Sequence, residues 1–589
     1  MNEVSKQATA ALRLTDALEI VQGAPVDAPS YRVTLACGFT PLHVQAFLAA
    51  YLQRVLPARK VSLATGLYGD LPGTLAAAAD TGAQAVAVAL EWSDLDARLG
   101  FRSSGSWGPA VVPDMVSTAR GALDRIGLAL ERIPAAIPVA LCLPTLPLPP
   151  LFHTSNWQSS QAELDLRQAL AGFAARAARR CSLVNSTRLA ESSPEAGRFD
   201  LNSDLALGLP YTVTHASAVG EALALLLSPP APKKGLITDL DDTLWYGLVG
   251  EVGPDAVCWD LAGHHQVHGL YQKLLAALAE EGVLVGVASK NDPLDVQQVL
   301  KRDDLLLPAE KVYPWEVHWN AKSGSVGRIL RTWNIGADSV VFVDDSPMEL
   351  AQVSEGHPGI ECLLFPRDDN GAAYRVLRHL RDLFGKPRLS EEDSIRLQSI
   401  RQSEALREAG ATESVDAFLE QAEAVVSVDF ALSGDDPRVL ELVNKTNQFN
   451  LNGVRFAEAD WRARLSEPGA VLAAITYRDK FGPLGKIAVI QGRQKGPVLE
   501  IGVWVMSCRA FSRRIEHQCL KVLFERYQAR EMVFDFAPTA KNGPLQDFFA
   551  LYLGGRLSGR FRLSHEQFER ACPPLYHQVA VLQTSSNHG

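Results

Sequence analysis

The sequence predicts a multidomain α/β protein, and three observations lead there. At 589 residues the chain is too long for a single core, and three to four domains are expected. Short apolar, β-rich runs alternate with helically periodic segments, the pattern of parallel sheets covered by helices on both faces. One apolar strand, from Gly235 to Leu240, runs into two carboxylates at i and i+2, Asp239 and Asp241. A strand that ends so presents them at the carboxyl edge of a sheet, where open α/β folds bind ligands. Composition bounds the class further. The chain is 47% hydrophobic and 21% charged, ordinary for a soluble globular enzyme. A net charge of −10 argues against a general nucleic-acid or anionic-membrane surface. Eight cysteines lie scattered without a CxxC pair, so reduced thiols are expected. The first twenty residues lack the basic-then-apolar order of a signal peptide, and no apolar run reaches membrane-spanning length. A soluble, cytoplasmic protein is the expectation.

Taken in order, residues 1–230 open with a weakly amphipathic lead-in. YRVTLACGF then reads as a strand, PLHVQAFLAAYLQRVL as a helix and KVSLATGLYG as a strand. AQAVAVALEW, a helix over MVSTARGALDRIGLALERI and the strand IPVALCLP continue the alternation. HASAVGEALALLLS closes this first α/β domain, and SPPAPKK, 228–234, reads as a linker. Cys37 and Gly38 follow the first strand, and His215 precedes the last helix. A serine esterase of the SGNH type would carry Gly-Asp-Ser at the first place and Asp-x-x-His at the second. Neither motif stands here. The domain reads as an SGNH- or flavodoxin-like parallel sheet serving as a scaffold or docking unit, with Cys37 a buried strand-end thiol.

The second domain, 235–385, begins with GLITDLDDTLWYG. Two carboxylates this close repel, so a divalent cation or a shared proton is needed to hold them. The order strand, Asp, apolar, Asp, any residue, Thr, apolar resembles motif I of the haloacid dehalogenase (HAD) phosphotransferases. Ser289 then ends the strand VLVGVAS, Lys322 opens a helix, and SVVFVDD brings Asp344 and Asp345 to another strand end. The spacings are 50 residues from Asp239 to Ser289, 33 on to Lys322 and 22 on to Asp344. Each polar residue follows a strand or opens a helix, so all can converge on one sheet edge. Phosphoryl transfer accounts for each residue type. Asp239 would be the nucleophile, giving an aspartyl-phosphate, and Asp241 the general acid and then base. Ser289 would donate to the phosphoryl group, and Lys322 would offset its charge and that of Asp239. Hard oxygens for Mg²⁺ would come from the Asp239 carboxylate, the Asp241 main-chain carbonyl and Asp344, with Asp345 a further or water-mediated ligand. Too few residues separate motif I or motif II from the next helix for a large cap domain. The site is thus expected to be open, with WYGLVGEVGPDAVCWD as a flap beside it.

The resemblance narrows with DLDDTLWYGLVGE, ASKND, WNAK and VFVDDSPMEL, which are similar to the FkbH-like family of HAD phosphatases (subfamily IIIC). It extends through LSEEDSIRLQSIR, VNKTNQFNLNGVRF, RDKFGPLGKIAVI, MSCRAFSRRIE and PTAKNGPLQDFF, over roughly 235–585. Residues 390–589 form the third domain. Its strands AVLAAITYRD, KIAVIQGR and VLEIGVWVMS, a helix over RRIEHQCLKVLFERYQAR and the strand EMVFDFAP resemble the acetyltransferase (GNAT) fold, an α+β domain. The usual pyrophosphate loop is missing. An opening for a phosphopantetheine arm is still expected, with Arg509, Arg513 and Arg514 near its phosphate at the helix start; a solvated helix face is the alternative. Asn447, Gln448, Asn450, Lys541 and Asn542 are expected at a domain interface or the substrate mouth.

The resemblance implies a glyceryl transferase/phosphatase. Such proteins take 1,3-bisphosphoglycerate, remove the phosphates and load the three-carbon unit as a thioester on an acyl carrier protein for polyketide or related biosynthesis. Where many members have a cysteine before the motif II serine, this chain has Ala288. Cys508 is then the best remaining acyl-bearing thiol, a helix N-terminus and arginines lowering its pKa, with a buried structural thiol as the alternative. Position 242 is Asp where Asn is common. Two other functions stand beside this one: a phosphatase on a small metabolite without acyl transfer, and a non-enzymatic docking module of an assembly line.

Overall fold

The computed structural model describes residues 12–582 apart from positions 26, 79, 152–153, 156, 387–388, 390–392, 394–395, 399, 402–414, 431–435, 447, 481, 508–509, 512, 540–541 and 556–558. The chain divides into two compact units, Met1–Ala231 and Pro232–Gly589. Among the described residues, no helix is long and apolar enough to cross a membrane.

The first unit is built on β1 (Ser30–Ala36), β2 (Lys60–Thr65), β3 (Ala85–Ala89), β4 (Val139–Cys142) and β5 (Ser182–Leu183). Their order is β2-β1-β3-β4-β5, and every pair is parallel. The sequence of β3, AVAVA, is buried throughout, as a central parallel strand must be. Its period of two sorts the residues between faces. Val86 and Val88 join the core under the helix Val112–Arg132, while Ala85, Ala87 and Ala89 join the core of the helices Leu42–Val55 and Val213–Leu227.

In the second unit, β6 (Gly235–Thr238), β7 (Leu284–Ser289), β8 (Val312–Val317), β9 (Val340–Asp344) and β10 (Glu361–Leu364) form another all-parallel sheet, in the order β10-β9-β6-β7-β8. The chain leaves β6 toward β7 and later returns to β9 on its other side. That reversal opens a crevice at the carboxyl ends of these strands. Trp333, the last residue of the helix Lys322–Trp333, packs its ring against β6 and β7, and two glycines make room for it. A Cβ on Gly235 or Gly286 would come within 2.5 or 2.8 Å of the indole, whose Nε1 donates to Tyr313 O at 2.8 Å. The helix after the flap starts at Gln266. Before it, Gly263 donates to Asp260 Oδ1 at 2.6 Å in a turn through His264, whose φ is +63°.

A third, mixed sheet follows: β11 (Val425–Asp429), β12 (Phe449–Asn450), β13 (Ala470–Asp479), β14 (Gly482–Lys495), β15 (Val498–Met506), β16 (Glu531–Phe534), β17 (Phe561–Ser564) and β18 (Gln578–Leu582). Its main path is β17-β16-β15-β14-β13-β11-β18, with β12 against β15. The parallel strands β15 and β16 pair only over Val498–Ile501 and Glu531–Phe534. Beyond that they part, and the chain's own segment around β12 enters the gap. Leu451 donates to Trp504 O at 2.9 Å, Ala537 donates to Leu451 O at 3.1 Å, and the Asn452 amide bridges Gly502 O and Asp535 O, each at 3.0 Å. Backbone groups of the parted strands are thus satisfied internally.

Candidate functional site

Asp239 follows β6 and hangs its main chain on the neighbouring strand, donating to Val343 O at 3.0 Å. Lys322, at the first position of its helix, lies between two carboxylates. Its Nζ is 3.0 Å from Asp239 Oδ2 and 2.7 Å from Asp344 Oδ2, and all three side chains are at most 6% exposed. Burial alone depresses the ammonium's pKa; Asp239 and Asp344 reverse this and leave it raised, so the group is charged. One cation facing two buried carboxylates leaves an excess of negative charge. Asp344 is accordingly pushed up to about 7, by burial first and then by Asp239. Asp345 is pushed up to about 6 by burial, Asp239 and Asp242.

Carboxylate oxygens of Asp239, Asp344 and Asp345 all lie within 4.8 Å of one another. Asp239 Oδ1 is buried and has no hydrogen-bond partner, a costly condition for a carboxylate oxygen. An orphaned buried acceptor facing hard-oxygen donors at this spacing fits a divalent cation that prefers oxygen ligands.

Asp241 stands outside this carboxylate cluster. Its Oδ1 accepts from Trp245 Nε1 at 2.8 Å and from Val249 N at 3.2 Å, so the flap residues aim the side chain. Burial raises its pKa against those donors. With the side chain so held, a metal ligand from this residue would be its main-chain oxygen. Ser289 ends β7, is 3% exposed and accepts from Asn291 Nδ2 at 3.2 Å. Asp239, Asp241, Ser289, Lys322, Asp344 and Asp345 therefore gather at the carboxyl end of one sheet.

Sequence reasoning missed Arg367. It stands in the loop after β10, and its Nη1 pairs with Asp242 Oδ2 and lies 3.7 Å from Asp345 Oδ2. Asp242 has φ +53° and also accepts from Gly247 N at 2.9 Å, which ties the flap to Arg367. The available signal was positional: FPRDD follows an apolar strand, as the other site residues do. Asn291 and Lys290 were passed over in the same way. Lys290 reaches Glu349 at 2.5 Å on the opposite flank.

Residues expected elsewhere have other surroundings. Cys508 and Arg509 lie outside the described residues. Arg513 is 1% exposed, 3.6 Å from Asp479 and over the Tyr477 ring, so its guanidinium is committed inside the fold and not offered to a phosphate. Arg514 pairs with Asp416 at 2.6 Å and donates to Pro574 O at 2.8 Å. Asn447 and Lys541 also lie outside the described residues. Asn450 and Asn542 are buried: Asn542 Nδ2 donates to Asn450 O at 3.0 Å and Ala537 O at 2.9 Å, clipping loops together instead of lining a mouth.

In the first unit, Cys37 is buried, donates to Phe39 O at 3.4 Å and has its pKa pushed up by burial to about 12. His215 is fully buried between Thr145 Oγ1 at 2.8 Å and Ser193 Oγ at 2.9 Å, and burial lowers it to about 3. Glu91 accepts from Tyr211 at 2.6 Å and Thr145 Oγ1 at 2.7 Å. The Cys37 thiol and the His215 imidazole each bond to other partners, and the network fastens strand ends together.

The chain matches no protein-family model and no curated protein sequence. Among solved structures it is similar to the N-terminal part of the protein BF1531 from Bacteroides fragilis, described as containing a phosphatase domain and complexed with Mg. The TM-score is 0.50 at 17% identity, over 64% of this chain and 99% of that one. At that identity the likeness is one of fold.

Proposed function

We propose that the chain is a Mg²⁺-dependent phosphatase or phosphotransferase of the HAD type that works through Asp239. The observation that carries this reading is the buried, unpartnered Oδ1 of Asp239 beside Lys322, Asp344 and Asp345. The hard-oxygen donor set and the Mg complex of the BF1531 fragment support Mg²⁺. Bound there, Mg²⁺ would offset the charge of the phosphoryl oxygens. Asp239 attacks phosphorus, forming a P–O bond as the bond to the leaving oxygen breaks. Asp241, its pKa raised by burial, gives that oxygen a proton and later takes one from water or another acceptor. Ser289 donates to a phosphoryl oxygen, and Lys322 aligns Asp239 through their ion pair.

The finer reading follows the FkbH-like resemblance. The substrate is 1,3-bisphosphoglycerate or a related acyl phosphate: the thiol of an acyl carrier protein attacks the acyl carbon and expels the acyl-bound phosphate, while Asp239 takes the ester phosphoryl group and passes it to water. Neither Ala288 nor the buried arginine Arg513 helps hold an acyl or pantetheine group, so a carrier thiol would receive the unit directly unless Cys508 intervenes. The test incubates the protein with 1,3-bisphosphoglycerate, Mg²⁺ and a phosphopantetheinylated carrier, and follows phosphate release and carrier mass. Phosphate release with an adduct of about 88 Da supports acyl loading. Release without the adduct leaves a small-metabolite phosphatase. Absence of both outcomes' signals would point to a docking module, against which the assembled carboxylates and Lys322 argue.

A further inference from the structure

Arg367 carries an inference about which substrates the site accepts, and it rests on the phosphatase reading above. The site is flanked by two side-chain cations on opposite sides of β6 and β9. Lys290 has its charge met at 2.5 Å by Glu349, which is nearly buried. Arg367 is also paired but more open: its side chain is 46% exposed, its Nη1 is on Asp242, and its Nε reaches Asp368 at 3.3 Å. Its Nη2 amino group has no hydrogen bond among the described residues. The carboxylate of Asp242 is itself fixed by Gly247 N, so the guanidinium is anchored through one nitrogen and presents another.

We infer that Arg367 is a specificity-determining residue that binds a second anionic group, phosphate or carboxylate, on the same substrate whose phosphoryl group faces Asp239. The distances allow it. Arg367 Nη1 is 3.7 Å from Asp345, whose carboxylate lies within 4.8 Å of the Asp239 ligand oxygen. A linker of three carbons, at roughly 1.5 Å a bond, spans such a separation. Charge allows it as well. The transferred phosphoryl group is met by Lys322 and the metal, so a second anion among Asp241, Asp242, Asp345 and Asp368 needs a cation of its own. A guanidinium with a free amino group suits a phosphate or carboxylate better than an ammonium would. The class is therefore bis-anionic acyl phosphates or phosphate esters with a short carbon linker.

The test compares two acyl phosphates that differ by the second phosphate, acetyl phosphate and 1,3-bisphosphoglycerate, with Mg²⁺ and the full chain. Arg367→Ala is expected to lower kcat/KM for both, but for the bis-anionic substrate by a factor about 10–30 larger, chiefly through KM. Arg367→Lys, which keeps the charge on Asp242, is expected to recover part of that ratio, and it carries the comparison alone if the alanine variant does not fold. Equal losses on the two substrates would overturn the inference, because Arg367 would then only hold Asp242 and the flap. Failure of the unaltered protein to release phosphate from either substrate would instead overturn the phosphatase reading itself.

Discussion

Asp344 and Asp345 are carboxyl groups that resist ionising where the fold puts them, and this makes metal uptake depend on pH. Burial and the neighbouring Asp239 push them to about 7 and about 6 from an ordinary 3.8. In the metal-free folded chain these groups keep protons that the unfolded chain has already lost. The stability they contribute is fully present below about 3.8 and is lost as pH rises toward 7. A divalent cation needs both groups ionised, so its binding must displace those protons. Mg²⁺ titrations by calorimetry in buffers of different ionisation heat are expected to show proton release near about pH 6 and almost none near about pH 8.5, with affinity rising between them. Binding independent of pH across that window would contradict the assignment. Asp242, a further carboxylate beside these two, is paired by Arg367.

Among the elements, the helix Lys322–Trp333 does two jobs. Its first residue delivers the lysine, and its last lies across β6 and β7 where only glycines fit. Gly286→Ala would put a methyl group 2.8 Å from the Trp333 ring and force the helix off the sheet. Overpacking of this kind costs about 1–3 kcal/mol, to be read as a shift in the midpoint of chemical denaturation. Much of this element was legible in the sequence. Strand ends bearing Asp239, Ser289 and Asp344 follow apolar runs too short for helices, and local pattern places them on one edge. Arg367 was not legible in that way, since its meaning comes from β10 lying beside β9, which no local pattern states. The third sheet shows the same limit. β13, β14 and β15 announce themselves by alternation and length. Two-residue β12 does not, yet it fills the gap between β15 and β16. The buried state of Arg513 was hidden for the same reason: an arginine before a helix reads as solvated until Asp479 and Tyr477 are found beside it.

At the scale of the whole molecule, the chain is two units with different electrostatic characters. Met1–Ala231 closes its strand ends with Glu91, Thr145, Tyr211 and His215 bonded to one another, while Pro232–Gly589 leaves a carboxylate oxygen unpartnered. Only the second should respond to metal. Differential scanning calorimetry is expected to resolve two transitions, of which Mg²⁺ at about 100 times its Kd stabilises one by about 2.7 kcal/mol and leaves the other unmoved. A shift of both, or of neither, would contradict this division of labour.

The most direct measurement concerns a single side chain. Phosphate release from acetyl phosphate, with Mg²⁺ present, should be compared between the parent protein and Asp239→Asn, which removes the nucleophilic charge while keeping the volume. The expected outcome is a fall of at least about a thousandfold in kcat with the fold intact by circular dichroism. Turnover at the parent rate would show that the carboxylate at position 239 does not take up the phosphoryl group.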